Sequence, residues 1–399
     1  MADSSPVDGV RRVAMVVFSY YPADPRVRRE AEAMVEAGIH VDVVCLQKEE
    51  ESSHETFNGV GIHRLPVVRR RGTPLRYLWE YVTFVFLASF KLCSLHWRQP
   101  YRVVHVHNMP DFLVFTALLP KLNGAKVILD LHDPMPEVFM TKYDFSGQHP
   151  IIKVLRVIEK WSIRFADRVL TPNAAFVRLF VSRGCPPSKI HVIMNSPDTR
   201  IFLGKGNGSP TKSRNGLVLM YHGTIVERHG LGTALDALVL LREQMPDVVF
   251  HVYGEGDYVE EFLSLRNKLG LQSMVQYHGH IPLEQIAEAI DSIDIGLIPN
   301  KRSIFTEINL PTRIFEYLSK GKQVIVPRTQ GILDYFDDSS THFFEPGNAS
   351  SLAAAIRLVC EQPERGREIL ERGMAIYEVH SWHHQKISLV SVIKELLPD

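Results

Sequence analysis

The sequence predicts an α/β protein of two Rossmann-like, doubly wound domains facing a central cleft. Three observations carry the prediction. Short runs rich in Val, Ile and Leu alternate with helical segments along the chain, the way right-handed βαβ units build a parallel sheet covered on both faces. One polar, glycine-rich stretch, Gly204 to Gly216, interrupts this alternation, which then restarts; that is the composition of a linker between similar halves. The length, 399 residues, exceeds what one hydrophobic core usually serves.

In the first half, Val10–Ser19 reads as a strand and Arg26–Ala37 as a helix closed by Gly38. Ile39–Leu46, Val103–His107, Lys126–Leu131, Arg168–Leu170 and Ile190–Met194 are the further strands. Helices are expected over residues 75–97, 111–122, 151–166 and 173–183. Beyond the linker the strands are Leu217–Tyr221, Val248–Tyr253, Val275–His278, Ile293–Ile298 and Gln323–Pro327. Helices there run to Gln244, to Leu269, and from about residue 348 to the end. No short internal repeat appears, which sets a solenoid aside.

Composition removes several function classes. Lys plus Arg equals Asp plus Glu at 45 each, so no global charge points to a nucleic-acid partner. Cys45, Cys93, Cys185 and Cys360 lack any CxxC spacing, which fits reduced, mostly buried thiols in a cytoplasm. The 18 histidines contain no HExxH pair, so a zinc hydrolase has little support. Val13–Phe18 is a short apolar run for a signal peptide. Tyr77–Leu95, broken by Glu80 and Lys91, falls short of the roughly 20 apolar residues that span a bilayer. A cytoplasmic protein that crosses no membrane is expected.

Ligands of open α/β sheets bind outside the carboxyl ends of the strands, and the loops there carry the candidate chemistry. In Ser19-Tyr-Tyr-Pro-Ala-Asp-Pro-Arg26, Arg26 and the following helix start suit a phosphate or an acceptor, against a Pro-rich turn with solvated arginines. In Leu129-Asp-Leu-His132-Asp133-Pro-Met-Pro-Glu137, a strand-end His can polarise a hydroxyl, against a core His bonded to backbone. In Tyr221-His-Gly223-Thr224-Ile-Val-Glu-Arg228-His229-Gly230, the glycine lets a ligand approach the backbone. Arg228 and His229 can neutralise a leaving diphosphate, against one solvated Arg. Val252-Tyr-Gly254-Glu-Gly256 starts like a dinucleotide fingerprint but lacks its third glycine, so it supports a tight turn only.

The most informative stretch is Asn309-Leu310-Pro311-Thr312-Arg313-Ile-Phe-Glu316-Tyr-Leu-Ser-Lys-Gly321. Pro311 opens a short helix and Gly321 closes it. The helix start with Arg313 suits a phosphate, and the Glu316 carboxylate can accept two hydrogen bonds from a vicinal diol. Phosphate beside diol describes a nucleotide sugar; an ordinary capped helix with a surface Glu is the plain alternative. The chain has no Asp-x-Asp triplet to hold a metal on a diphosphate, so protein cations would have to stabilise its departure.

Together, in order and spacing, these segments resemble the family 4 glycosyltransferases, retaining enzymes of the two-domain GT-B fold. The likeness is to the bacterial branch that builds surface polysaccharides and exopolysaccharides. It runs from Tyr21-Pro-Ala-Asp24-Pro-Arg26, through His107-Asn-Met-Pro-Asp111, to the final helix after Ser381-Trp382. The resemblance implies an acceptor domain over 1–205, joined by a C-terminal helix (382–399) that crosses back to it, and a nucleotide-sugar donor domain over 206–381. It implies Glu316 on the donor ribose, Arg228 or His229 on the donor phosphates, and His132 against the transferred sugar, these being the catalytic candidates. Gly223, Thr224 and Gly254 would turn near the diphosphate, Ile281 would border the base, and Leu310, Pro311, Thr312 and Arg313 would line the donor. Tyr21, Asp24, Arg26, Asp133 and Glu137 fall on the acceptor side. His229 stands where the family usually has Lys, which implies a pH-dependent cation. Eight residues before Glu316, where a first acid would address the sugar, stands Ile308; Glu307 is one position out of register.

The expected activity is metal-independent transfer of a sugar from a UDP- or GDP-sugar to a lipid-linked or polysaccharide hydroxyl, with no other cofactor. A nucleotide-sugar epimerase of the same fold and a non-catalytic sugar-nucleotide binding protein are the alternatives. Arg69-Arg-Arg71, Arg76 and the run Tyr77–Leu95, with Trp79, Tyr81, Phe84, Phe86, Phe90 and nearby Trp97, are expected to dock on an anionic membrane surface. For Val82–Phe90 a place in the core is slightly favoured.

Overall fold

The computed structural model describes residues 11–68, 74–202 and 216–397, with the side chains of residues 74–78 outside that description. The Arg69–Arg71 cluster, the Arg76 side chain, Val10 and all but the last residue of the 204–216 stretch therefore lie outside the described residues. The chain divides into two compact units, Met1–Met194 with Gln385–Asp399, and Asn195–His384.

The first unit runs β1 (Arg12–Tyr20), α1 (Pro25–Glu36), β2 (His40–Leu46), β3 (His54–Phe57), β4 (Val60–Leu65), α2 (Pro74–Arg98) and β5 (Val103–His107). A 3-10 segment (Asp111–Ala117) leads into α3 (Leu118–Leu122), then β6 (Lys126–Asp130), α4 (Met135–Tyr143), α5 (Pro150–Phe165), β7 (Arg168–Thr171), α6 (Ala174–Ser182) and β8 (Ile190–Val192). The eight strands lie in the order β3-β4-β2-β1-β5-β6-β7-β8. Its inner strands, from Val13 to Val16 and from Val103 to Val106, bury side chains on both faces, as sheets sandwiched between helices require.

β3, β4 and α4 lie outside the expected elements, and two further features differ from expectation. The sheet is mixed, because β3 pairs antiparallel with β4. Asn58 and Gly59 between them both have positive φ, 49° and 79°, the conformation that a two-residue hairpin turn demands and that Asn-Gly favours. The helix expected over 111–122 is a 3-10 segment followed by one short helix. There the Thr116 hydroxyl donates to Leu113 O at 2.8 Å, a local bond of the kind that competes with helical pairing.

Elsewhere local chemistry sets the ends. Asp24 caps α1 by accepting from the Arg26 and Val27 amides at 3.2 Å each. Helix α2 is half core and half surface: Phe84, Ala88 and Leu92 are fully buried, while Trp79, Val82, Phe86, Phe90 and Trp97 face outward. The core placement favoured for Val82–Phe90 thus holds for one face only. Among the described residues no helix is long and apolar enough to cross a membrane. All four cysteines are free; Cys45 and Cys185 are buried and Cys360 is exposed.

The second unit runs β9 (Val218–His222), α7 (Leu231–Leu241), β10 (Val249–Tyr253), α8 (Val259–Lys268), β11 (Val275–Gly279), α9 (Leu283–Asp291) and β12 (Ile295–Leu297). It continues with α10 (Arg313–Ser319), β13 (Gln323–Pro327), α11 (Gln330–Leu333), β14 (His342–Phe344), α12 (Ala349–Glu361) and α13 (Pro363–Val379). Its six strands are ordered β11-β10-β9-β12-β13-β14 and every pairing is parallel. The last helix, α14 (Trp382–Leu396), ends in the first unit. Gln385 Oε1 there accepts from Met194 N at 2.8 Å, and Lys386 pairs with Glu36.

Helix α10 sits on β9 and β12 through Tyr317, whose hydroxyl donates to Met220 O at 2.9 Å. Gly296 in β12 makes room for it: a Cβ there would lie 2.1 Å from the Tyr317 ring. Gly296→Ala should therefore destabilise the protein by about 1–3 kcal/mol, the usual cost of overpacking. A urea midpoint equal to wild type would show that Tyr317 can move aside.

Candidate functional site

In the first unit the strand ends converge on a buried polar cluster. Arg26, at the start of α1, is buried and grips Asp130 at the end of β6 with two nitrogens, Nε to Oδ2 and Nη2 to Oδ1, at 3.0 Å each. Its Nη1 donates to Ile193 O at 2.9 Å, and Nε lies 3.1 Å from Glu30 Oε1. His132 Nε2 stands 3.3 Å from Asp130 Oδ2 and 3.0 Å from His107 Nδ1. The backbone of His132 is held by Asn108, whose Oδ1 accepts from His132 N at 2.8 Å.

The charges follow from this packing. Burial alone would raise Asp130, but Arg26 and the neighbouring histidines hold its carboxyl well below the usual range. Burial pulls the His132 imidazolium down, and Asp130 outweighs it, so His132 holds its proton above the ordinary value. His107 is driven well below its ordinary value by burial and by His105 beside it. His132 thus holds its proton more firmly than His107 does, and a neutral His107 can accept at Nδ1 from His132 Nε2–H. The His132 side chain keeps 21% of its surface exposed, enough to meet a ligand.

Glu30, His105, His107 and Asp130 also bring one ligand-type atom each within 4.8 Å of one another. The Arg26 guanidinium already occupies both Asp130 oxygens and reaches Glu30, so a divalent cation would sit against a fixed positive charge. The cluster reads as a charge-balanced network and not as a metal centre.

The acceptor-side residues sit in the fold as follows. Arg26 is buried and committed to Asp130, so it does not offer its charge outward; Asp24 caps α1 through Oδ1 and is partly exposed. Tyr21 is 1% exposed. Glu137 is buried and paired with Arg183, which also binds Glu159 at 2.9 Å. Asp133 is partly exposed, and its backbone oxygen accepts from Asn108 Nδ2 at 2.7 Å.

In the second unit three glycine turns stack at the ends of β9, β10 and β11. Gly223 has φ +120° and Gly254 φ +132°, and a Cβ on Gly254 would lie 1.9 Å from Gly223 O. Gly223 N donates to Tyr253 O at 3.1 Å, and Gly254 N to Gly279 O at 2.7 Å. Only glycine fits turns this close. Arg313, the first residue of α10, packs on Gly223; it donates from Nη1 to His222 O at 2.8 Å and lies 4.5 Å over the Tyr221 ring. One turn on, Glu316 Oε2 is 3.2 Å from His222 Nε2.

Two expectations meet different chemistry. Burial, with Arg313 adding, pushes His229 down to about 3. Its Nδ1 is 2.7 Å from Thr224 O, so a neutral imidazole pins the loop where a pH-dependent cation was expected. Glu307 is bound to Arg302, and its Oε1 accepts from Gln330 N at 3.2 Å, so its carboxylate anchors α11. Arg228 has a buried Nε without a hydrogen-bond partner among the described residues. Ile281 is partly exposed in the loop between β11 and α9, Leu310 and Thr312 are partly exposed ahead of α10, and Pro311 is buried.

His222 is the site residue that sequence reasoning passed over. Burial and then Arg313 push it to about 3, so it is neutral beside Glu316. The signal was available: like His132, it closes a buried strand.

Two α/β units, one with glycine turns, an Arg and a Glu gathered at its strand ends, have the architecture of the GT-B fold. Residues 23–196 match the model of the glycosyl transferase 4-like domain, and residues 208–374 match that of glycosyl transferases group 1. The chain belongs to the family 4 glycosyltransferases. It is 24% identical over 178 residues to AmsK, an amylovoran biosynthesis glycosyltransferase of Erwinia amylovora; the match covers 44% of this chain and 43% of that protein, under half of either. WcaI of Escherichia coli K12, named for colanic acid biosynthesis, is 21% identical over 78% of this chain and 80% of its own. Among solved structures, sucrose-phosphate synthase from Thermosynechococcus elongatus has a TM-score of 0.78 at 16% identity, covering 97% of this chain and 99% of that one. WaaG, a glycosyltransferase involved in lipopolysaccharide biosynthesis, gives 0.71 at 16% identity, covering 96% and 99%. Anabaena HepE in complex with UDP-glucose gives 0.70 at 17% identity, covering 96% and 98%.

The opposed histidine shifts can be measured. The unfolded chain takes up protons below about 6.5, which folded His222 and His229 refuse until about 3. Stability is therefore lost as pH falls from about 6.5 towards about 3. His132 has the opposite sign: its contribution is full below about 6.5 and fades as pH rises through its raised folded value. Imidazole NMR should show His132 titrating above about 6.5 while His222 and His229 stay neutral over about pH 5–8. A His222 resonance titrating near 6.5 would remove the buried, neutral partner from Glu316.

Proposed function

We propose that the chain is a retaining, metal-independent glycosyltransferase. It moves a sugar from a UDP- or GDP-sugar to a hydroxyl of a lipid-linked or glycan acceptor, in the cytoplasm and at a membrane surface. The observation that carries this reading is the meeting of Glu316, Arg313 and the Gly223 turn at the end of β9. Glu316 is set to accept from the ribose diol, with His222 turning its carboxylate. Arg228, whose Nε lacks a protein partner, and Arg313 neutralise the donor diphosphate. The second unit thus takes the donor and the first the acceptor.

In the transfer, the bond from the anomeric carbon to the leaving phosphate breaks as the acceptor oxygen bonds to that carbon from the same face. The acceptor proton passes to the leaving phosphate, and a nucleoside diphosphate departs. Charge grows on that phosphate in the transition state, so cations aimed at it lower the barrier. Protonated His132 donates to an oxygen of the transferred sugar. The polysaccharide acceptor is supported by the names of AmsK and WcaI, and the uridine donor by the HepE complex. No specific observation favours the epimerase or the binding protein.

Glu316→Gln should raise the donor KM about tenfold with the fold intact, because hydrogen bonds to a charged group are worth about 1.5–3 kcal/mol. Initial rates against donor concentration test this, and an unchanged KM would place the nucleotide elsewhere. Arg228→Ala should lower kcat more than it weakens donor binding. Transfer should survive EDTA; a strict metal requirement would overturn phosphate neutralisation by arginines.

A further inference from the structure

The first unit carries an apolar face that its own fold leaves open. The outward stripe of α2 repeats at helical spacing, with Phe86 and Phe90 73% and 76% exposed and a tryptophan near each end of the helix. On α3, Leu118, Leu119 and Leu122 are exposed, and on α5 so are Val154, Val157 and Trp161. These helices are neighbours: α2 and α5 both pack on the Asp111–Ala117 segment, and α3 packs on that segment and on α2. Phe115 of that segment stacks edge-on against Phe165 of α5 at 5.2 Å, and Lys121 Nζ lies 5.3 Å over the same Phe165 ring. Large apolar side chains exposed on helices that share one packing segment mark a candidate interaction site.

Its charge says what covers it. On the described parts of α2, α3 and α5 and the segments joining them to β5 and β7, the acidic side chains of Glu80, Asp111 and Glu159 are buried, and Asp167 is paired with Lys121. The exposed ions there are cations, Arg98, Arg102, Lys153, Lys160 and Arg164. At one margin a surface pocket of about 480 Å³ is lined by Lys121, Arg164, Arg168 and Lys189 with Asp167. Such one-sided charge is not inherited from the chain, whose formal net charge is zero. Tryptophans, large apolar side chains and unopposed cations on one face match the interfacial layer of an anionic bilayer.

We propose that the α2–α3–α5 face docks on an anionic lipid bilayer, its apolar stripes entering the headgroup layer and its cations, with the Lys121–Lys189 pocket, meeting lipid phosphates. This rests on the reading of the chain as a transferase with a membrane-held acceptor, and it names the surface that reaches it.

The test is flotation of the full chain with vesicles of phosphatidylcholine alone and of phosphatidylcholine mixed with phosphatidylglycerol. Wild type should bind the mixed vesicles and not the neutral ones, and salt should weaken that binding. A Phe86→Ser/Phe90→Ser variant and a Lys153→Glu/Lys160→Glu variant should each lose about tenfold in partitioning, whereas Phe86→Leu/Phe90→Leu should keep it. Unfolding midpoints like that of wild type are expected, since all four positions are exposed. Equal flotation of wild type and both variants overturns the proposal, as does wild type binding neither vesicle. A wild-type dimer that the serine variant dissociates, without vesicle binding, would assign the face to a second copy and also overturn it. Release of nucleoside diphosphate from UDP- and GDP-sugars separates the two readings. Turnover without flotation sinks the docking alone, and flotation without turnover sinks the transferase alone.

Discussion

The ion pair between Arg26 and Asp130 organises the first unit. It joins the start of α1 to the end of β6, and through Ile193 O it reaches the segment after β8. Both partners are buried, so neither is free to leave: removing one side of such a pair strands a buried charge, at about 3–5 kcal/mol. The same carboxylate raises His132 above its ordinary value, against the pull of burial. One interaction therefore closes the strand ends and sets the charge state of the catalytic candidate.

The second unit solves its strand-end problem with shape rather than charge. Parallel strands that end side by side send their chains into the same space. Glycine removes the side chains that would collide, as the Gly223–Gly254 contact shows. Arg313 then covers the turn and binds the backbone of His222, and His222 meets Glu316. The nitrogen–oxygen approach of 3.2 Å is close enough to orient the carboxylate.

Much of the fold was legible because buried parallel strands leave an unmistakable composition. Val103–His107 and Gln323–Pro327 fall where the apolar runs lie. Some of what was missed is short or exposed, although β4, six residues long and mostly buried, was missed as well. β14 has three residues, and β3 is mostly exposed, so neither carries a hydrophobic run; Asn58-Gly59 was the overlooked sign. Site residues divided on a different line. A sequence shows which side chains could act and conceals which are already engaged. Arg26 had the right chemistry for an acceptor loop and is engaged by Asp130. Glu307, one position out of register with a sugar-binding acid, is consumed by Arg302 and Gln330.

The same logic applies to charge. A net charge of zero invites the conclusion that electrostatics do not direct the chain towards any partner. Burial breaks the balance locally, because acids that pair inside the first unit leave cations unanswered outside. Glu159 shows how: it is buried and bound to Arg183, so the acid on α5 faces the interior while Lys153 and Lys160 face out. Where a fold takes up one sign of charge and leaves large apolar side chains exposed beside the other, the surface is specified as closely as a pocket.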